Sequence, residues 1–368
     1  MLLSAKPLSQ PLDHPLRVES QAPAKLILTG EHAVLHQQAA ISLPIPLYSH
    51  CLLQLTPPAQ EPLSNRLQIE LIDLQQTASF CWQEVTERCA QLINQYQAFL
   101  AERLSIKSVL ESPFDLILLG IYHFSEHAPL PLAEMQIQIH SAIPMERGLG
   151  SSASIIVSLI KALEKATNTQ LSSEDRLTLA QQIENYQHGR SSGVDTATIA
   201  LQQSLFYQQG QWQAVDLGAI PQPLQAWLID SGKAYSSTGD VVAAVAQNFT
   251  GSPIWHDFAH TTTHIQTAWQ TQQTQTLLEG IQRNQALLVQ IGVVPTSVDT
   301  LCQQLVKELG GAAKVCGAGS LDWQIQHATK DAPSTNIQLG AGIVLYLGEQ
   351  SPKQFCQKHH LTYYPIEL

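Results

Sequence analysis

The order of apolar and polar residues predicts a strand, a short turn and a helix in the middle of the chain. Residues 135–139 read Met-Gln-Ile-Gln-Ile, the alternation expected of a strand with one apolar face. Residues 155–163 place apolar side chains at helical spacing, which predicts an amphipathic helix. The segment between them is therefore expected to open a helix N-terminus at Ser151 and Ser152.

Similar patterns predict further elements on both sides. An apolar run in residues 22–30 ends at Gly30, as a strand does when it enters a turn. Residues 82–104 are expected to be helical, and a Ser-Ser-Glu-Asp cap at 172–175 introduces another helix. The polar, proline-bearing residues 1–21 are expected to be loose. Further strands are predicted at residues 67–71, 226–229 and 343–347.

Chain length and composition add the domain count and the class. With 368 residues, the chain exceeds the roughly 250–300 that one core usually serves, so two domains are expected. Gly and Pro in residues 218–223 place the boundary there, giving domains 1–218 and 219–368. The net charge of −11, with only 19 Lys and Arg, argues against nucleic acid or an anionic membrane as the main partner.

The cysteines and the hydropathy predict where the protein works. Six cysteines lie at irregular spacings without a Cys-x-x-Cys pair, which favours free thiols and a cytoplasmic protein. The chain has no apolar run of the ~18 residues that a membrane span needs, and no secretory leader. We therefore expect a cytoplasmic protein whose partners are small molecules.

The turn before the central helix has the composition of a phosphate-binding loop. Glycines let a backbone approach a polyphosphate closely, and the helix N-terminus adds unpaired N–H groups and a positive dipole end. The glycine spacing also satisfies the dinucleotide fingerprint. That fingerprint needs glycines directly after the strand and an acid about 20 residues further on. Here residues 144–147 separate the strand from the glycines, and Asn168-Thr169-Gln170 stands in place of the acid, so the match is weak. A Walker loop is excluded because Lys does not follow Gly150.

The loop resembles the central motif of the GHMP kinase family, Pro-x-x-x-Gly-Leu-Gly-Ser-Ser-Ala. The resemblance implies an α+β, two-lobed fold with a ribosomal-S5-like N-terminal lobe and a ferredoxin-like C-terminal lobe. It also implies ATP as the phosphoryl donor. The nucleotide-binding residues it implies are Gly148, Leu149, Gly150, Ser151, Ser152 and Ala153.

Separated segments resemble other motifs of the family, in the form found in mevalonate kinases. Ala22-Pro23-Ala24-Lys25 and Gly30-Glu31-His32 resemble the first motif, with Ala24 in place of the usual glycine. Glu184, His188-Gly189 and Asp195 resemble an acid followed by His-Gly-x-Pro-Ser-Gly-x-Asp, with Ser191 in place of proline. Asp230-Ser231-Gly232 with Thr238 matches a further stretch, and Thr238 equally suits a helix cap.

The third family motif departs from the pattern. Residues 314–319, Lys-Val-Cys-Gly-Ala-Gly, match its beginning, but Gly340-Ala341-Gly342 precedes the strand expected next. We expect an insertion of about twenty residues within this motif, and a loop insertion of that size costs little entropy.

The resemblance assigns a role to each candidate residue. Ser152 and Glu184 would hold Mg²⁺, a cation that prefers oxygen ligands. Asp195 would be the base that accepts the hydroxyl proton, and Lys25 beside it would keep that carboxyl ionised. Glu31, His32 and Thr238 would contact the substrate.

The same motifs favour mevalonate as the acceptor, which would be phosphorylated on its primary hydroxyl in isoprenoid precursor synthesis. Three alternatives stay open. A phosphomevalonate kinase would use Lys233 or Arg190 in a basic pocket, and a homoserine kinase is suggested by Arg147 before the glycines. A non-catalytic sensor would suit the interrupted third motif. A homodimer is also compatible with these motifs.

One further pattern suggests a metal site. His256, His260 and His264 share a helix face at four-residue spacing. Because Thr and Gln surround them and no metalloprotease-type Glu follows, we interpret them as a solvated face.

Overall fold

A computed structural model describes residues 12–57, 66–189, 193–322 and 340–368. Its strands are β1 (Leu16–Thr29), β2 (Ala40–Thr56), β3 (Arg66–Leu71), β4 (Gln76–Cys81), β5 (Glu134–Ser141), β6 (Leu205–Gln208), β7 (Gln211–Ala214), β8 (Gln225–Asp230), β9 (Ala312–Val315), β10 (Ile343–Gly348) and β11 (Thr362–Ile366). Its α-helices are α1 (Trp82–Leu100), α2 (Asp115–His127), α3 (Ser151–Thr167), α4 (Ser173–His188), α5 (Val194–Leu201), α6 (Thr238–Phe249), α7 (Ile254–Gln270), α8 (Thr274–Gln290), α9 (Thr296–Leu309) and α10 (Lys353–Lys358). The predicted α+β class is confirmed.

The chain forms two compact units, each assembled from separated segments. The first unit consists of Met1–Ala24, Leu47–Ile143 and Gly150–Gln202. The second consists of Lys25–Pro46, Pro144–Leu149 and Gln203–Leu368. The predicted boundary at residue 218 stays a prediction.

The first unit combines a mixed sheet with helices α1 to α5. Strands β4, β3, β5 and β2 are neighbours in that order, with β3 and β5 parallel and the other two pairings antiparallel. Helix α3 packs against α2, α4 and α5 because its apolar stripe, including Ile156 and Leu163, is fully buried. The predicted strand at 135–139 and the helix after it are thus confirmed as β5 and α3.

The N-terminal expectation is wrong in part. Residues 16–21 were expected to be loose, but they begin β1, which pairs with β2. The hydroxyl of Ser20 donates to the Ser158 carbonyl at 2.6 Å, so this polar stretch is held by hydrogen bonds rather than by an apolar face.

The second unit is organised around a four-stranded antiparallel sheet. Its strand order is β11-β8-β10-β9, and helices intervene between β8 and β9 and between β10 and β11. This is the succession of the ferredoxin-like arrangement, as the family resemblance predicted. Trp227, Phe258 and Tyr346 lie in its core. The first residues of β2 pair with β6, which pairs with β7.

The cysteine side chains are all free thiols, and Cys81 alone of the six is exposed. Burial raises the pKa of the other five, to about 12 at Cys51 and about 11 at Cys356. Within the described ranges, no helix combines the length and the apolarity required to span a bilayer.

Candidate active site

The glycine loop opens directly into helix α3. Gly150 is the N-cap, with φ 72°, and Ser151 is the first helical residue. The first intrahelical bond runs from the Ser154 N–H to the Gly150 carbonyl at 3.0 Å, so the N–H groups of Ser151, Ser152 and Ala153 precede the hydrogen-bonded ladder. These groups and the positive end of the helix dipole favour an anion at this place.

The loop residues of the second unit lie against the backbone of the third motif. A Cβ added to Gly148, which has φ 80°, would lie 3.3 Å from the Cys316 carbonyl oxygen. A Cβ added to Gly317, which also has φ 80°, would lie 3.3 Å from the Gly148 Cα. Both positions therefore require glycine, for their conformation and for the close approach. The Leu149 carbonyl accepts from the Lys25 N–H at 3.0 Å, which ties the loop to strand β1.

Helix α4 places a carboxylate beside the first turn of α3. The Ser152 hydroxyl donates to Glu184 Oε1 at 2.7 Å, and His188 Nε2 lies 3.1 Å from the same oxygen. The other oxygen, Glu184 Oε2, is buried and has no hydrogen-bond partner in the described part of the chain. An orphaned carboxylate oxygen next to a hydroxyl is a donor set that suits Mg²⁺, so these residues fit the predicted metal.

Asp195 lies in the first turn of helix α5. Gly193 is the N-cap of that helix, with φ 77°, and Asp195 is partly exposed. A carboxylate at this position is favoured by the helix dipole. The preceding Arg190, Ser191 and Ser192 lie outside the described residues, as does most of the expected insertion in the third motif, at 323–339.

Lys25 lies in strand β1 and is only 2% exposed. The neighbouring Ala24 has no positive φ, so the alanine that replaces the family's usual glycine is not strained. Lys25 belongs to the second unit and Asp195 to the first, and their pairing stays a prediction.

Glu31 takes part in a buried ion pair that the sequence did not reveal. Its Oε1 accepts from Lys314, and its Oε2 accepts from Asn284 Nδ2 at 3.3 Å. Burial by itself lowers the pKa of Lys314, but the Cys316 sulfur and the Glu31 carboxylate raise it above its usual value. The predicted substrate contact of Glu31 stays a prediction. The only signal for the pair was a lysine within an apolar strand, Ala-Ala-Lys-Val.

His32 is buried, and its ring nitrogen Nδ1 can accept a hydrogen bond. Its Nε2 donates to the Ala318 carbonyl at 2.9 Å, and burial lowers its pKa, so the ring is neutral near pH 7. The tautomer that donates from Nε2 leaves a lone pair on Nδ1, which is buried and lacks a partner among the described residues.

The remaining candidates lie on helices α6 and α7. Thr238 is exposed and is the first residue of α6. The cap of that helix is Ser237, whose hydroxyl accepts from the Asp240 N–H at 3.2 Å, so the capping interpretation was wrong by one residue. On α7, three exposed histidines share one face as predicted: His256, His260 and His264.

Comparison with known proteins first gives the class. Residues 115–203 match the family described as GHMP kinases N terminal domain. The solved structure of the Methanococcus jannaschii mevalonate kinase aligns with a TM-score of 0.75 at 22% identity, covering 97% of this chain and 99% of that one. The chain therefore has the fold of that solved structure, and its residues 115–203 are similar to the N-terminal domain of the GHMP kinases.

Within this class, the resemblance to mevalonate kinases is confirmed. A mevalonate kinase of Thermococcus sibiricus is 27% identical over 241 residues, which are 65% of this chain and 64% of the relative. One of Archaeoglobus fulgidus is 27% identical over 307 residues, which are 82% of this chain and 88% of the relative. The match to the Thermococcus relative thus spans slightly less than two thirds of that protein's length.

Proposed function

We propose that this chain is an ATP-dependent kinase that phosphorylates the primary hydroxyl of mevalonate. The observation that carries the proposal is the Ser152–Glu184 pair at the N-terminus of α3, where one buried carboxylate oxygen has no partner among the described residues. A phosphate-binding helix start and an oxygen donor set for a divalent cation are the two parts that phosphoryl transfer needs most.

The nucleotide phosphates would be held by backbone donors. These donors are the N–H groups of Ser151, Ser152 and Ala153 at the start of α3, where Gly150, with φ 72°, is the N-cap. Ser152 and Glu184 would hold the Mg²⁺. When bound, this ion neutralises charge that develops on the transferred phosphoryl group.

Proton transfer is assigned to Asp195. Its carboxylate would accept the proton of the attacking hydroxyl, a contribution worth about 10²–10⁴ in rate when the geometry is right. By resemblance, the Lys25 ammonium would stabilise the oxygen that becomes phosphorylated.

The second unit offers acceptor-side groups that suit an uncharged alcohol. The buried Nδ1 of His32 can accept from a substrate hydroxyl, since it lacks another donor in the described structure. Lys233, one of the two cations considered for a phosphorylated acceptor, is paired with Glu146, and the neighbouring Arg147 is paired with Asp230; the other candidate, Arg190, lies outside the described residues. A phosphorylated acceptor would need additional positive charge. We therefore favour mevalonate over phosphomevalonate.

The wider setting follows from the same proposal. The partner is a small molecule, the thiols suit a cytoplasmic location, and isoprenoid precursor synthesis is the process served. A homodimer is compatible with the proposal, and no step of the chemistry depends on one.

An acceptor panel tests the proposal. ADP release is followed with mevalonate, phosphomevalonate, homoserine and galactose, at saturating ATP and Mg²⁺. We expect turnover with mevalonate, at about the 1–100 s⁻¹ typical of kinases, and little with the others. Preferred turnover of another acceptor would reassign the substrate. Nucleotide binding without turnover of any acceptor would favour the sensor.

A further inference from the structure

We propose that Arg147 is a positioning residue that holds the glycine loop in its phosphate-binding conformation through Asp230. This inference rests on the proposed function, because it takes residues 148–153 to hold the ATP phosphates. The residues concerned, Pro144–Leu149 and the end of strand β8, all belong to the second unit.

Arg147 makes one hydrogen bond to strand β8 and another within its own loop. Its Nε donates to Asp230 Oδ1 at 2.7 Å, and its NH1 donates to the carbonyl of Met145 at 3.3 Å within the loop. The side chains of Arg147 and Asp230 are only 20% and 17% exposed, so solvent screens this pair less than a surface pair. The same Asp230 oxygen also accepts from the Gly232 N–H at 2.8 Å, which fixes its position.

The loop backbone explains why such a link is needed. Glu146 has φ 56° and Gly148 has φ 80°, so the residues on both sides of Arg147 have a left-handed backbone conformation. A left-handed conformation at a residue with a side chain, such as Glu146, costs energy and persists when its surroundings hold it. The Arg147 carbonyl is itself packed closely, because a Cβ added to Gly342 would lie 2.9 Å from it.

A second ion pair on the same loop provides the matched comparison. Lys233 contacts Glu146, but these side chains are 62% and 65% exposed. Exposed pairs contribute little because water and salt screen them. The positioning effect is therefore assigned to the Arg147 pair.

The alternative is that Arg147 binds a phosphate oxygen directly. The two roles predict opposite effects of removing Asp230. If Arg147 acts through Asp230, losing either partner loosens the loop, and losing both is no worse. If Arg147 were a phosphate ligand, neutralising Asp230 would release it and leave nucleotide binding unchanged or tighter.

The experiment compares Arg147→Ala, Asp230→Asn and the double variant by calorimetric titration with Mg²⁺ and a non-hydrolysable ATP analogue. Each single variant is expected to weaken binding about tenfold, as loss of a charged hydrogen bond does, and the double variant should be no weaker than the singles. The KM for ATP should rise similarly, with kcat at saturation little changed. Glu146→Gln, which removes the exposed pair, should bind as the unmodified protein does.

Asp230→Asn keeps an oxygen that can accept from Gly232, so it provides the test if Arg147→Ala does not fold. Unchanged or tighter binding in Asp230→Asn overturns the inference, as does strictly additive loss in the double variant. Because binding is measured without an acceptor, the two failures are distinct. An unmodified chain that binds no nucleotide refutes the proposed function, whereas normal binding with unaffected variants refutes only the role of Arg147.

Discussion

At the residue scale, Glu184 combines burial with an unused hydrogen-bonding oxygen. It is 3% exposed, and in the described part of the chain only its Oε1 is engaged, by Ser152 and His188. A buried polar atom without a partner costs about 1–3 kcal/mol, and a bound cation removes that cost. The arrangement is therefore expected to contribute to function more than to stability.

Replacing Glu184 by Gln tests the metal assignment. Glu184→Gln keeps the size of the side chain but removes the negative charge that Mg²⁺ requires, so the Mg²⁺ concentration for half-maximal activity should rise by about tenfold or more. Activity is measured across a Mg²⁺ titration at fixed ATP. Glu174→Gln, an exposed acid of the same helix, is the control and should leave the titration unchanged. An identical titration in both variants would refute the ligand role.

Replacing Asp195 by Asn tests the base assignment. Because an amide cannot accept the proton, kcat should fall by about 10²–10⁴ while the affinity for a nucleotide analogue stays the same. Stopped assays give kcat, and calorimetry gives the affinity. Asp175→Asn removes an exposed acid from the first turn of another helix, α4, and should retain activity. A parallel loss of nucleotide binding in Asp195→Asn would contradict the assignment.

The candidate site residues that stand out in the sequence are those in contiguous motifs. Gly150 and Ser152 were recognisable because a glycine loop before a helix has a local signature. The Lys314–Glu31 pair was not, because its partners are 283 positions apart and meet only in the folded second unit. The unused atoms of Glu184 and His32 were also unpredictable, since they depend on what surrounds each side chain.

At the scale of elements, the Lys314–Glu31 ion pair joins strand β9 to the turn that follows β1. Both side chains are essentially buried, at 0% and 1% exposure. Removing one partner of such a pair leaves an unpaired charge in the interior, whereas replacing both partners leaves no buried charge.

Lys314→Met should therefore lower the free energy of unfolding by about 3–5 kcal/mol, because Glu31 is left buried without its ammonium. The double variant Lys314→Met with Glu31→Gln should recover most of that loss. Denaturant unfolding measures both. The exposed Lys353→Met serves as the control and should stay within about 0.5 kcal/mol. A double variant less stable than Lys314→Met would show that the two residues are not coupled in this way.

The elements themselves were predicted best where periodicity is strong and worst at their ends. The helix expected to reach residue 104 ends at Leu100, since Glu102 adopts a left-handed φ of 58°. Strand β1 begins at Leu16 because pairing with β2 satisfies its backbone, whatever the polarity of its side chains. Both outcomes depend on tertiary contacts that a local pattern does not contain.

At the scale of the whole molecule, the motifs predicted the fold. Strands β1 and β2 each contribute residues to both compact units, an arrangement that depends on tertiary contacts and that no local sequence pattern contains. The net charge of −11 also disfavours an anionic nucleotide at long range. Nucleotide binding is therefore expected to depend on local donors, chiefly the loop and the start of α3.

The distribution of the thiols has a practical consequence. Five of the cysteine thiols are buried and hard to ionise, whereas Cys81 is exposed at the N-cap of α1. Since thiolates are the species that react with electrophiles, a maleimide dye added at neutral pH should couple at Cys81 alone. The native chain thus already carries a single attachment point for a fluorophore, without any prior removal of cysteines.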